Sequence, residues 1–495
     1  MPSPASAGAA GAVLAEAERI VRAGQDRELE RGRRKARRNA LREDRQRLAR
    51  EERERKAARE EAEEGRQRLA AAGLRAAMLE RIRERGAACG GSVMDRVFAG
   101  VPDPRDPRGV RHSLASVLAL VLMAMMRGNT TLAAVTCWIS GAGQELLAAA
   151  GARARPDGTR VAPCGKTVSR VLGLAGPDIV DEAVCRYLAD GERALQAAER
   201  EQGQERESPA GQEGVAGAEP VLMPQVACDG KYVRGARRPD GTTLIMLSAA
   251  TPGGVTLAQR EIPAKTSEQP EILPMLRELN EYYPLAGHVL TADALHTHTP
   301  LPDLARELGA GCVLTVKDNQ PTLRAALENA LWAGAACHVT RDRGHGRRET
   351  RSHLVMDAPA GVRALFPPAE QVARVIRART VTFWENDGRT RTRVTRTSAE
   401  TVYLVITMTA RQASPGHIAV YIRNHWSIEN RVHYVRDVTL REDSSQVKKG
   451  SRPRILTTLR NLNIALIHQS GHEEVAATIR AAAGDNDLLL AILRL

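Results

Sequence analysis

Glu429 lies within residues 421–443 among basic and polar side chains that could take part in catalysis. Ile428, Val432 and Val435 recur at helical spacing, which predicts an amphipathic helix with an apolar stripe. On a helical wheel Glu429 lies beside that stripe. A carboxylate at the edge of a core is costly to keep there unless it has a function. The polar residues around it are His425, Trp426, Asn430, His433 and Arg436.

Two aspartates upstream could join this glutamate. Asp229 and Asp293 each follow an apolar run, 221–227 and 288–292, that predicts a buried strand. Active sites of open α/β sheets gather at strand ends, although an aspartate there is also a common turn or cap residue. Because the three acids are far apart in sequence, only the fold could assemble them into one site.

Three carboxylates suit metal-dependent cleavage of phosphodiesters. Two divalent cations roughly 3.5–4 Å apart can activate the nucleophile and stabilise the leaving oxygen. Magnesium prefers oxygen ligands and keeps several waters. We therefore predict a nuclease centre in which Asp229, Asp293 and Glu429 are both the catalytic residues and the ligands of two Mg²⁺ ions, with Mn²⁺ as a substitute. A second acidic cluster offers either alternative ligands or partners for neighbouring arginines: Asp437, Glu442 and Asp443.

Basic and polar residues near the three acids are candidates for holding the substrate. As phosphate contacts they would position a nucleic acid without reading its sequence. The alternative is ordinary surface charge. The predicted DNA-binding residues are Lys231, Lys317, Asn319, Arg423, His425 and Arg436.

Composition supports a polyanionic partner. The chain of 495 residues carries a formal net charge of +13, and for a strongly basic chain nucleic acid is the usual partner. Seven cysteines are scattered singly, which argues against a zinc site or a disulfide framework and fits a reducing cytoplasm. The apolar run 114–126 is too short to span a bilayer. We expect a cytoplasmic, nucleoid-associated protein without membrane contact.

Composition also divides the chain. Residues 1–94 form an Arg-, Glu- and Ala-rich block, expected to be a solvated helix or disordered. That block is either a DNA-binding arm or an extension upstream of an alternative start at Met94. The blocks that follow are a helical domain at 95–198, a linker at 199–220, a domain of alternating strands and helices at 221–470 with a β-rich insertion at 337–408, and a helical tail at 471–495.

Several ordered motifs resemble insertion-sequence transposases of the ISAs-one type, also called H-repeat-associated. The resemblance covers about residues 95–470. The segments that carry it are Asp103-Pro-Arg-Asp-Pro-Arg-Gly-Val-Arg-His112, Asp229-Gly-Lys, Thr291-Ala-Asp-Ala-Leu-His296, Val316-Lys-Asp-Asn-Gln-Pro-Thr-Leu323, His345-Gly-Arg-Arg-Glu-Thr-Arg351 and Arg423-Asn-His-Trp-Ser-Ile-Glu-Asn430.

The resemblance implies an α/β, RNase-H-like core with an Asp-Asp-Glu triad, which by motif is Asp229, Asp293 and Glu429. It implies cleavage at terminal inverted repeats of double-stranded DNA, strand transfer by the freed 3′ hydroxyl, and a homodimer on DNA. An inactive or domesticated DNA-binding protein derived from a transposase is the alternative. A third possibility is a structural, nucleoid-like role for the basic block at 1–94 alone.

Overall fold

The structure is a computed structural model that describes residues 73, 75–86, 89, 91–207, 221–238, 240–263, 266–344, 346–386 and 391–495. The chain divides into two units, Met1–Ala77 and Met78–Leu495, and all the elements named here belong to the second unit. Most of the predicted extension 1–94 and the second part of the predicted linker, 208–220, lie outside the described residues.

Between residues 101 and 207 the structure describes five α-helices. Helix α1 is buried on every side, which explains why its sequence is apolar throughout. One helix predicted at 131–150 is two helices, because Gly141 ends α2 and Gly143 begins α3. The fifth helix continues to Glu207, so the predicted linker 199–220 begins inside a helix. The five are α1 Leu114–Met126, α2 Leu132–Ser140, α3 Gln144–Ala149, α4 Gly165–Leu174 and α5 Pro177–Glu207.

None of the helices in the described ranges is both long and apolar enough to cross a membrane.

A nine-stranded mixed sheet forms the second layer, in the order β3-β2-β1-β4-β5-β9-β8-β7-β6. Strands β4 and β5 run parallel to β1, whereas β2, β3 and β9 pair antiparallel with their neighbours. This mixed architecture agrees with the predicted α/β class. The strands are β1 Gln225–Arg237, β2 Thr243–Ala250, β3 Thr256–Glu261, β4 Val289–Ala292, β5 Gly311–Val316, β6 Ala336–Gly344, β7 Arg347–Asp357, β8 Gln371–Asn386 and β9 Arg391–Ile406.

The β-rich insertion is continuous with the core sheet, because β9 pairs with β5 at one edge and with β8 at the other. Two strands predicted at 389–396 and 401–407 are one strand. The pairing of β9 with β8 runs without interruption through Ala399, which lies opposite Ala378. Four helices connect or flank these strands: α6 Glu268–Tyr282, α7 Pro300–Glu307, α8 Pro321–Glu328 and α9 Ala360–Leu365.

The segment predicted as one helix at 421–443 has three kinds of helical turn. Helix α10 spans Pro415–His425, two π-helical stretches follow at Ile428–His433 and Val435–Thr439, and a 3₁₀ turn spans Glu442–Ser444. Short π-helical stretches occur frequently at functional sites. The prediction of a regular helix is therefore wrong after His425.

Three C-terminal helices complete the unit: α11 Arg452–Gln469, α12 Val475–Ala483 and α13 Asn486–Leu493. Helix α11 joins the helical layer to the sheet edge through the buried carboxylate of Asp181 in α5. That carboxylate accepts hydrogen bonds from Arg454 and Thr458 of α11 and from Gln259 of β3. Buried polar groups are stable only when they are paired in this way.

Candidate active site

The apolar stripe around Glu429 brings this residue to the sheet. Ile428 and Val432 are buried and pack against Ala227 of β1 and Ala250 of β2. Since Ala227 lies two residues before Asp229, this small cluster places the π-helical turn over the strand that carries the first aspartate. The predicted stripe is therefore the contact that positions the glutamate.

Asp229 and Glu429 converge on one nitrogen atom. His433 Nδ1 lies 3.3 Å from Asp229 Oδ2 and 3.3 Å from Glu429 Oε2. Burial opposes protonation of His433, but its hydrogen bonds to the two carboxylates outweigh that effect and raise the pKa. The hydrogen bond from His433 lowers the pKa of Glu429. The two acids therefore share one hydrogen-bond partner.

Asp293 lies on the neighbouring strand at the same level. Cys228 of β1 pairs with Ala292 of β4, and the residue that follows each of them is an aspartate. Adjacent strands lie about 4.8 Å apart. The prediction that Asp229 ends a strand is wrong. Strand β1 continues to Arg237, and Asp229 pairs with Ser248 of β2. It lies where the pairing of β1 with β4 stops.

The carboxylate of Asp293 is not within the group formed by Asp229, Glu429 and His433. Its side chain accepts a hydrogen bond from the backbone N–H of Leu295 and is 46 % exposed. Behind it lies the buried imidazole of His296, whose Nε2 is 4.0 Å from Asp293 Oδ1 and 3.5 Å from Glu268 Oε2. The structure thus brings two of the three predicted acids together and places the third beside them.

Glu268 and His296 were not among the predicted site residues. The Glu268 carboxylate lies directly over Gly230, where a Cβ atom would collide with it. The glycine after Asp229 therefore makes room for a fourth acid. The sequence identifies His433 only as a polar neighbour of Glu429. Their spacing of four residues would place both side chains on one helical face. No sequence pattern points to Glu268.

Two predicted DNA contacts, Arg436 and Lys231, are buried in the structure and pair with carboxylates. The Arg436 side chain has no exposed surface and forms an ion pair with Glu442 at 2.5 Å. Lys231 is 7 % exposed, and its Nζ lies 2.5 Å from Asp437 Oδ2. Lys231 ties the segment after Glu429 to β1, whereas Arg436 pairs with a residue of that same segment. Of the two roles left open for the second acidic cluster, the structure favours partners for basic residues.

The remaining predicted DNA contacts surround a cavity next to Asp293. Lys317 is exposed and lines it, as do Arg423 and His425. His425 is half-buried with Nδ1 3.2 Å from Thr291 Oγ1, and burial lowers its pKa although Asp229 and Asp293 oppose that effect. Asn319 uses its Nδ2 to donate to the Ala294 carbonyl at 2.6 Å, which ties the loop after β5 to the loop after β4.

The group at Asp229 fits a divalent cation. Two carboxylates and one imidazole offer ligand atoms that all lie within 4.8 Å of one another. Within the described ranges, this is the group of three possible metal ligands that lie so close together. Carboxylate oxygen suits Mg²⁺ and Mn²⁺, and imidazole nitrogen is a ligand for transition metals. The shared hydrogen bonds to His433 mark the point where a positive charge is stabilised.

Comparison with known proteins now identifies the class. The family described as "DDE_Tnp_1-associated" matches residues 96–188, and the family described as "Transposase DDE domain" matches residues 229–466. The second match begins at Asp229 and includes Asp293 and Glu429. The chain belongs to the DDE superfamily of insertion-sequence transposases.

Two relatives from Escherichia coli extend this result. The chain is 24 % identical over 393 residues to "Putative transposase YncI" of strain O157:H7, which covers 76 % of this chain and 87 % of the relative. It is 22 % identical over 280 residues to "H repeat-associated putative transposase YhhI" of strain K12, covering 54 % and 71 %. The predicted resemblance to H-repeat-associated transposases is therefore confirmed.

One solved structure is similar at a lower level. A chain of the cryo-EM structure of the piggyBac transposase synaptic complex with hairpin DNA aligns with a TM-score of 0.33 and 13 % identity, over 78 % of this chain and 82 % of that chain. A similarity of this size does not establish a shared fold.

Proposed function

We propose that this chain is an active DNA transposase with an RNase-H-like catalytic domain, in which Asp229, Asp293 and Glu429 form the reactive centre. It would cleave the terminal inverted repeats of an insertion sequence and join the freed 3′ hydroxyl to a target. The observation that carries the proposal is the convergence of Asp229 and Glu429 on His433 Nδ1, at 3.3 Å each.

Each acid has a distinct part in this proposal. Asp229 is held by the sheet and Glu429 by the apolar contact of its π-helical turn, so both carboxylates are fixed before any ligand binds. His433 orients both. Asp293 is 46 % exposed and borders the open cavity, which leaves its carboxylate free to meet the substrate side of the site. A Mg²⁺ or Mn²⁺ ion held by Asp229 and Glu429 would supply Lewis acidity at the site.

Double-stranded DNA is the proposed partner. Lys317, Arg423 and His425 line the cavity beside Asp293 and would contact DNA phosphates, which position the substrate without reading its sequence. Asn319 would act indirectly, by fixing the loop that carries Lys317. Because transposition joins two ends of one element, we also propose a homodimer assembled on DNA.

The test uses the DNA that flanks the gene as substrate. Asp229→Asn, Asp293→Asn and Glu429→Gln should each abolish Mg²⁺-dependent nicking while leaving DNA binding within about twofold. Loss of one transition-state ligand commonly lowers the rate by roughly 10²–10³ or more, which a gel assay for nicked strands detects.

The control is Glu473→Gln, which removes an exposed carboxylate paired with Arg431 at 3.9 Å. It should nick at the wild-type rate. If Glu429→Gln also nicks at the wild-type rate, Glu429 is not the third acid. If wild type binds the flanking DNA and never nicks it under Mg²⁺ or Mn²⁺, the inactive DNA-binding alternative replaces the proposal.

A further inference from the structure

A cavity of about 750 Å³ connects the candidate active site to the insertion. One wall carries Asp293, Lys317, His425 and Trp426. The other lining residues include those of the insertion strands β6, β7, β8 and β9, which form the insertion wall, and Arg423 of α10. The cavity therefore has a catalytic wall and an insertion wall, and the insertion wall had no assigned role.

A buried carboxylate organises the insertion wall. Glu349 of β7 has a side chain that is 1 % exposed. It forms ion pairs with Arg351 and with Arg377, whose Nε lies 2.9 Å from Glu349 Oε1, and a longer contact of 4.0 Å with Arg347. Three guanidinium groups thus surround one carboxylate, which leaves an excess of positive charge.

A second carboxylate extends the arginine array toward the active site. Asp342 Oδ2 lies 2.9 Å from Arg351 Nη1 and 2.8 Å from Arg423 Nη1. The charged residues that line the cavity are six cations and three carboxylates, so the cavity as a whole attracts anions. They are Lys317, Arg343, Arg347, Arg351, Arg377 and Arg423, with Asp293, Asp342 and Glu400.

The floor and the rim of the cavity favour a nucleotide over a simple anion. His353 is 1 % exposed, lines the cavity, and its Nδ1 has no hydrogen-bond partner in the described part of the chain. Burial lowers the pKa of His353 to about 4, so the ring is neutral at physiological pH. At the rim, Trp426 is 61 % exposed and offers a flat surface for stacking.

Size decides which form of DNA can enter. A cavity of this volume matches the pockets that enclose small ligands, roughly 300–1,000 Å³. A duplex, whose major groove alone is about 12 Å wide, cannot enter. A positively charged groove with aromatic side chains is the usual binding site for unpaired strands.

We infer that this cavity binds unpaired nucleotides of the DNA strand that leaves the active site, with the arginine array on its phosphates and Trp426 against a base. The inference rests on the proposed function, because it takes DNA as the substrate. It gives the insertion a specific role, which is to hold a strand end that is no longer base-paired close to Asp293.

The test is equilibrium binding of full-length protein, measured by fluorescence anisotropy without divalent metal. The probes are a blunt duplex and the same duplex with a short unpaired overhang. The variant is Arg347→Ala combined with Arg423→Ala. Both side chains can be removed safely, because Glu349 keeps Arg351 and Arg377 and Asp342 keeps Arg351. The matched control is Arg341→Ala with Arg348→Ala, two exposed arginines of the insertion strands β6 and β7 that do not line the cavity.

Wild type and control should bind the overhang probe at least about tenfold more tightly than the blunt probe. The cavity variant should lose that preference. For the overhang probe, its plot of log binding constant against log salt concentration should have a slope shallower by about 1.4, because each phosphate contact on a single strand adds roughly 0.7 to that slope. Equal binding of both probes by wild type, or an unchanged preference in the cavity variant, would overturn the inference. A protein that prefers the overhang but never nicks DNA would refute the proposed function and leave this inference standing.

Discussion

Replacing Glu442 with glutamine removes one negative charge between two buried guanidinium groups. The Glu442 side chain is 1 % exposed, and its carboxylate pairs with Arg436 and with Arg460, which are 0 % and 4 % exposed. Thr457 Oγ1 also donates to it at 2.8 Å. This network fixes the end of the π-helical segment onto α11, so it holds Glu429 in place from one side.

The size of the effect follows from the pKa of Glu442 and from its burial. The arginines lower that pKa from 4.5 to about 2, although burial opposes them, and such a shift corresponds to roughly 3 kcal/mol of stability. Breaking a buried ion pair by removing one partner costs about 3–5 kcal/mol, because the remaining charge stays buried. We therefore expect Glu442→Gln to lower the free energy of unfolding by about 3 kcal/mol.

The assay is urea denaturation followed by tryptophan fluorescence, with Glu473→Gln as the matched control. That control makes the same chemical change at a carboxylate that is 82 % exposed, where a surface ion pair contributes about 0–1 kcal/mol. If Glu442→Gln unfolds at the same urea concentration as the control, the buried network does not stabilise the fold and the reasoning fails.

Further predictions concern the same region. The free energy of unfolding should fall as the pH drops from about 4.5 toward 2. Because the pKa of Glu442 is lowered, its ionised carboxylate stabilises the fold above that range and no longer does so below it. Acid titration followed by circular dichroism measures this loss. Gly235→Ala should lower the free energy of unfolding in urea by more than about 2 kcal/mol, because its Cβ would lie 2.6 Å from the Glu442 carbonyl oxygen. Gly361→Ala is the control, because its Cβ would have no atom within 4 Å. Gly230→Ala should weaken Mn²⁺ binding, measured by electron paramagnetic resonance, because it displaces Glu268 beside Asp229; unchanged binding would show that Glu268 is not needed there.

The sequence predicts that Asp229 and Asp293 lie close together, because each comes just after an apolar run. Each follows an apolar run, and the two runs form the parallel strands β1 and β4, in which Cys228 pairs with Ala292. Parallel strands in register bring the residues that follow to the same level. The position of Asp229 inside β1 does not follow from the sequence, since β1 continues beyond its pairing with β4 through its antiparallel pairing with β2.

The basic residues were harder to predict because burial decides their role. Lys231 and Arg436 have the spacing expected of phosphate contacts, but Asp437 and Glu442 pair with them in the interior. Spacing in sequence does not reveal whether a cation will meet a buried carboxylate or solvent. Arg423, in contrast, remains 62 % exposed even though it pairs with Asp342.

The π-helical turns explain why Arg436 does not follow Glu429 along one face. In an α-helix of about 3.6 residues per turn, a residue seven positions on points in nearly the same direction. In a π-helix each hydrogen bond spans one residue more, as in the bonds from Tyr434 N to the Glu429 oxygen and from Leu440 N to the Val435 oxygen. One such stretch, Ile428–His433, lies between the two residues and reduces the rotation per residue, so Arg436 points into the core, where its guanidinium group pairs with Glu442. The wider turn thus separates the glutamate at the site from the arginine that anchors its segment.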